Sequence, residues 1–119
     1  MAAPSEFRAH IEDLLAHAMN IRVRPMFGAA GIYADGTMFG ILVGERVYLK
    51  ADEASRSEFE LEGCVPFVYS ARDGRQLTMS YYSAPERFYD DADEAVAWAR
   101  RAIAAAHRKL TKKPKSPRR

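Results

Sequence analysis

The stretch Gly31-Ile32-Tyr33-Ala34-Asp35-Gly36-Thr37-Met38-Phe39-Gly40-Ile41-Leu42-Val43-Gly44-Glu45-Arg46-Val47-Tyr48-Leu49-Lys50 decides the fold. Asp35-Gly36 and Gly44 break it into short extended runs. Asp-Gly between apolar runs is a strong hairpin signal, because glycine accepts positive φ without a Cβ penalty. In the last run Val47 and Leu49 alternate with Arg46, Tyr48 and Lys50, the period of a strand with one buried face. With the segment upstream of Gly28, the reading is four strands near 22–27, 30–34, 37–43 and 46–51.

Outward from this core, both flanks turn helical. Toward the N-terminus, Phe7, Ile11, Leu14, Leu15 and Ala18 repeat at helical spacing, which predicts a helix over 5–19 with Ser5 as its cap and Glu6 in its first turn. Toward the C-terminus, Asp52 is placed to cap a helix near 53–62, and Gly63 stands where a left-handed residue closes a helix. Strands follow near 65–71 and 76–82. Val65, Phe67 and Tyr69 share one face and Leu77, Met79 and Tyr81 share another. A three-residue turn at Arg72-Asp73-Gly74, with Gly74 left-handed, brings both sets to the core side. Pro85 ends the last strand. Asp91-Ala92-Asp93-Glu94 then has the form of a capping box. A final helix to Leu110 carries Ala95, Trp98, Ala99, Ala102, Ile103 and Ala106 on one stripe. The order is α-β-β-β-β-α-β-β-α. The expected class is α+β, a two-layer antiparallel sheet with helices on one face.

The whole chain has 119 residues, enough for one domain that buries roughly 60–70% of its unfolded surface. Its 48% hydrophobic and 29% charged residues are those of an ordinary globular protein. Cys64 is the sole cysteine, so an internal disulfide and a cysteine-based metal cluster are excluded. No apolar run nears the roughly 20 residues of a bilayer span, and Met1-Ala2-Ala3-Pro4-Ser5-Glu6 does not read as a secretory signal. The expected setting is the cytoplasm, with no membrane partner.

The net charge of +2 hides a division. Residues 111–119 carry Lys112, Lys113, Lys115, Arg118 and Arg119 and no acid. With those five set aside, 13 basic residues face 16 acidic ones, so a body of −3 bears a tail of +5. The domain is read as 1–110 and the basic tail, too polar to bury, as disordered over 111–119.

Several strings occur in a specific order: Arg24-Pro25-Met26-Phe27-Gly28, Gly31-Ile32-Tyr33, Asp35-Gly36-Thr37-Met38-Phe39-Gly40, Val47-Tyr48-Leu49-Lys50-Ala51-Asp52, Pro66-Phe67-Val68-Tyr69, and Met79-Ser80-Tyr81-Tyr82 before Pro85. Spread over roughly residues 8–107, this set resembles the TfoX/Sxy family N-terminal domain, here in a stand-alone form. The resemblance implies a secretion-chaperone-like α+β fold of TfoX N-terminal type and a role linked to regulation of competence genes.

Chemical candidates are few. His10 and His17, seven apart on one helix, are separated by about 10 Å, too far to share a metal directly. His107 belongs to another helix, and no usual metal-ligand spacing occurs. Cys64 follows a helix end, the wrong end for thiolate stabilisation, and reads as a small buried thiol. Gly28, Gly31, Gly36 and Gly40 do not form a phosphate-binding loop, so hairpin geometry is their plain role. The cluster Asp90, Asp91, Asp93 and Glu94 stands where a helix starts and serves as a cap.

Strand alternation places Arg24, Tyr33, Tyr48, Lys50 and Tyr82 on the sheet face opposite the core. A two-residue Asp35-Gly36 turn adds Met38 and Leu42 to Tyr33's face. Such a face suits binding of anions, nucleotides or another protein. The leading expectation is a non-enzymatic regulatory protein-interaction module without cofactor or metal. Its partner would be an unidentified protein, such as a transcription regulator, or a second copy of itself. The alternative is an accessory nucleic-acid-binding protein in which the five tail cations, with Arg22, Arg24 and Lys50, attract phosphates weakly and without sequence preference. A third reading is a small-molecule binder or an unrecognised enzyme using Arg24, Lys50 and Tyr82.

Overall fold

The computed structural model describes residues 5–111 except His17, Phe27 and Ala71. The chain runs through α1 (Ser5–Ala16), β1 (Ile21–Met26), β2 (Ala29–Ala34), β3 (Thr37–Val43), β4 (Arg46–Lys50), α2 (Arg56–Leu61), β5 (Pro66–Ser70), β6 (Gln76–Ser83), a 3-10 turn at Glu86–Tyr89 and α3 (Ala92–Thr111). The six strands form one antiparallel sheet in the order β1-β2-β3-β4-β6-β5. This is the expected α+β class and element order.

The hairpins follow from local chemistry. Asp35 and Gly36 both take positive φ, 50° and 85°, between the paired Ala34 and Thr37. Positive φ at both central residues is the type I′ requirement, whose twist matches that of the strands. At the end of α2, Gly63 has φ 80°; its N–H donates to the Glu60 carbonyl, and the next N–H, of Cys64, reaches the Phe59 carbonyl. Those two bonds are a Schellman closure. Asp52 accepts from the Ser55 N–H while the Ser55 hydroxyl oxygen accepts from the Asp52 N–H, both at 3.1 Å. The reciprocal pair forms a tight turn, so α2 begins at Arg56, three residues later than expected. At α3, the Asp91 carboxylate accepts the N–H groups of Asp93 and Glu94. Glu94 does not reach back as a capping box requires; it accepts from Arg87 and from the Trp98 indole.

The helices cover one face. α3 lies across β3 and β4, and α1 packs between α3 and β1. Ile11 and Leu15 of α1, Ile32, Phe39, Leu42, Val47 and Leu49 of the sheet, Phe59 of α2 and Phe88 have essentially no exposed surface. The alanine stripe of α3 (Ala95, Ala99, Ala102, Ala106) is buried against them and lets the helix approach closely. Phe59 sits between two rings, 5.6 Å from Tyr82 and 5.0 Å from Trp98. Fully burying a ring of this size contributes about 1.5–3 kcal/mol before packing is counted. That is how a six-residue helix is held in place.

The β5–β6 hairpin departs from the expected assignment of faces. The pairs Ser70↔Gln76 and Tyr69↔Leu77 keep the expected even separation, and Gly74 has φ 91°. Yet Phe67 contacts Tyr48 and Tyr81 pairs with Lys50, both on the side away from the core, while Tyr82 pairs with Leu49 and faces inward. α2 covers this hairpin at Tyr82, whereas Val68 is 46% exposed. The hairpin's apolar alternation therefore does not mark the core. The side chains of Tyr69, Leu77 and Met79 lie outside the described residues.

Candidate functional site

The side of the sheet without helices is assembled from every second residue of its strands. β1 supplies Arg22, Arg24 and Met26, because Ile21 and Val23 turn toward the core. β2 supplies Gly31 and Tyr33, between Ile32 and Ala34 that point inward. β4 supplies Tyr48 and Lys50, and β5 and β6 add Phe67 and Tyr81.

Contacts across this face are cation–ring and ring–ring. The Arg24 guanidinium lies 5.9 Å from the Tyr33 ring centroid and the Lys50 ammonium 5.3 Å from that of Tyr81. Lys50 also donates to the Ser80 hydroxyl at 2.6 Å, and Tyr48 packs on Phe67 with centroids 4.8 Å apart. Burial raises the Tyr81 phenol above its ordinary pKa, and neighbouring Tyr33 adds to the effect. Toward the middle the face is sealed by its own side chains: Ile41 keeps 3% of its surface, Lys50 and Tyr81 each 7%. Toward β1 it opens, and Met26 is 40% exposed.

Gly31 underlies this open end. A Cβ there would come within 2.8 Å of the Met38 sulfur, 3.0 Å of the Tyr33 ring and 3.3 Å of the Met26 sulfur. The bare backbone therefore admits two thioethers and a ring side by side. Gly31 and Gly40 are strand residues needed for close approach and not for turns, whereas Gly28 and Gly36 have positive φ as hairpin glycines.

Of the residues expected to share this face, the structure brings together Arg24, Tyr33, Met38, Tyr48 and Lys50. Two do not belong. Between the pairs Ile32↔Gly40 and Tyr33↔Met38 the register shifts, so Phe39 is an extra residue in β3. This bulge reverses the alternation, sending Leu42 into the core and setting Ile41 on the outer face. Tyr82 is also a core residue; it stacks on Phe59, and its hydroxyl donates to Glu60 at 3.1 Å. Tyr82 thus lies across the sheet from Arg24 and Lys50, and those three do not form one small-molecule site. Sequence reasoning missed Met26, Ile41, Phe67 and Tyr81 as face members. The period of Arg22-Val23-Arg24-Pro25-Met26 was a usable signal for the first, the β3 bulge hid Ile41, and for Phe67 and Tyr81 local alternation does not say which side of the hairpin is covered.

Other titratable groups are engaged elsewhere. His10 meets the Tyr89 carbonyl at 2.7 Å. The Cys64 thiol is half-buried, and burial with nearby Glu62 raises its pKa. Arg108 binds Asp52 through two donors at 2.6 and 2.9 Å and, as the largest cause, holds that carboxyl at about 2. Arg87 bridges Glu62 and Glu94. Among the described residues no group of three His, Cys, Asp or Glu side chains is placed to hold a metal, and no helix is long and apolar enough to cross a membrane. Two open clefts, of about 530 and 390 Å³, lie away from the face: one lined by Phe7, Arg46 and Tyr89, the other by Asn20, Arg100 and His107. His17 and the tail cations Lys112, Lys113, Lys115, Arg118 and Arg119 lie outside the described residues.

No curated protein matches the chain. A family model, the TfoX N-terminal domain, matches residues 13–106. That span runs from within α1 to within α3 and includes all six strands and the whole helix-free face. The chain belongs to the TfoX N-terminal domain family.

Proposed function

We propose that this domain is a non-enzymatic regulatory protein-interaction module of the cytoplasm that engages its partner through the helix-free face. That partner is a transcription regulator or a second copy of the chain. Family membership supports a domain of competence-regulatory type. The observation that carries the reading is the open end of the face, where Met26, Met38 and Tyr33 converge over Gly31 and, among the described residues, no helix lies above them. An exposed apolar patch with a charged rim is the usual form of an interaction site. The engagement of Asp52, Cys64 and His10 in structural contacts supports the non-enzymatic part.

The test compares the full chain with Met38→Lys, using sedimentation velocity at high concentration and co-immunoprecipitation with regulators of transcription. Self-association or a recovered regulator is expected for the parent chain and its loss for Met38→Lys, with the thermal midpoint checked for both. A strictly monomeric parent that recovers no partner would overturn the reading, as would association that survives Met38→Lys.

A further inference from the structure

Charge is segregated by element. All 16 Asp and Glu residues lie outside the six strands, whereas the strands hold Arg22, Arg24, Arg46 and Lys50. In the helical layer, arginines meet carboxylates: Arg87 with Glu62 and Glu94, Arg101 with Glu58, Arg108 with Asp52. Arg24 instead lies over the Tyr33 ring. The open end of the face is consequently cationic, with no carboxylate contributed by its own strands.

The apolar part of that end is the pad formed by the Met26 and Met38 thioethers over Gly31. Methionine side chains are flexible and polarizable, so they reshape around an aliphatic or aromatic guest. Arg22, Arg24 and Met26 follow one another on the same side of β1, spaced about 7 Å apart along the strand. β1 is also an edge strand, but Pro25 withholds a main-chain donor from that edge. A bound chain is therefore better accommodated on the face than as a seventh strand.

Resting on the reading of this face as an interaction surface, we infer that its β1 end takes an acidic polypeptide segment with an apolar anchor. Carboxylates of the segment lie against Arg22 and Arg24, and the anchor sits on the Met26–Met38 pad. Complementary charge sets orientation and encounter rate, and the pad provides the desolvated contact. A polypeptide fits better than single-stranded nucleic acid, which needs open ring faces for its bases. On this face Tyr81 keeps 7% of its surface, and the Tyr48 and Phe67 rings are packed against each other.

The experiment is fluorescence anisotropy with the full chain and three labelled probes: a peptide alternating Glu and Leu, the same peptide with Gln for Glu, and an oligothymidine of equal charge. The Glu peptide should bind, and the Gln peptide should bind about tenfold or more weakly than it. The Arg22→Glu/Arg24→Glu double variant should lose about tenfold or more for the Glu peptide, with its thermal midpoint unchanged. A full chain with Lys112, Lys113, Lys115, Arg118 and Arg119 changed to Gln should bind like the parent. Equal binding of the Glu and Gln peptides overturns the inference. So does binding that survives the double variant, binding lost with the tail cations, or oligothymidine bound as tightly as the Glu peptide. If any of these occurs while Met38→Lys still abolishes partner recovery or self-association, the interaction face stands and only the acidic class of partner falls.

Discussion

The two sides of the sheet use the same residue types for different ends. On the helical side, aromatic rings fill space and cations close ion pairs: Phe59 lies between Tyr82 and Trp98, and Arg101 sits 4.4 Å over Trp98 while meeting Glu58 at 2.7 Å. On the bare side, Arg24 and Lys50 lie over tyrosines, and methionines occupy the space above a glycine. The first arrangement has a second layer pressing on it, so every volume is constrained from both directions. The second is constrained only from below, which leaves its thioethers and guanidinium groups able to rearrange around a guest. Stability is concentrated on one side of this molecule, and adaptability is available on the other.

Several substitutions would break or sharpen that contrast. The largest effect is expected at Phe59→Ala, which empties the space between Tyr82 and Trp98 and should cost about 3–5 kcal/mol by urea unfolding. A loss under about 1 kcal/mol would mean that α2 is not the anchor of this side. The two strand glycines come next. At Gly40 an added Cβ meets Ile32 at 3.0 Å and the Tyr48 carbonyl oxygen at 3.3 Å, within the packed layer. Gly40→Ala should destabilise by about 1–3 kcal/mol, as overpacking does. Gly31→Ala crowds flexible side chains instead and should cost less. Adding Met38→Ala should recover most of that loss, whereas no single truncation should rescue Gly40→Ala. Equal costs for the two glycines would erase the distinction between the faces.

A pH measurement separates them in another way. Arg108 depresses the folded-state pKa of Asp52 to about 2 from its ordinary 3.8. The stability from this contact is therefore present in full above about pH 4 and drains as the pH falls toward 2. Asp52→Asn should flatten that part of the acid-unfolding curve, and an unchanged curve would remove the Asp52–Arg108 pair from the account. The smallest effect belongs to the bare face: Arg22→Glu, at an exposed position on an edge strand, should change stability by no more than about 0.5 kcal/mol. A large loss there would show that the face is structural and not reserved for contact.

Local chemistry carried the element order a long way. Asp35-Gly36, Gly63, Gly74 and Asp91 each stand where a turn or cap needs their particular backbone freedom or side-chain acceptor, and the structure uses them so. Strand bounds fall within a residue or two of expectation for the same reason. Arg24, Tyr33, Met38, Tyr48 and Lys50 could also be assigned to one face, because strand alternation is strict wherever no residue is inserted.

The sequence by itself determined the six strands, the three helices, their order, and the acid-free composition of the strands. All of these depend on neighbours within a few positions along the chain. Tertiary structure decided which of two equivalent neighbours turned inward. Tyr81 and Tyr82 are the same residue in adjacent positions, and nothing local distinguishes them; Phe59, more than twenty residues earlier, takes Tyr82 into the core. Leu42 and Ile41 are nearly isosteric, and the extra residue Phe39 in β3 exchanged their roles. A bulge answers to the fit between strands and helices across the whole layer, and no short run of residues encodes that fit.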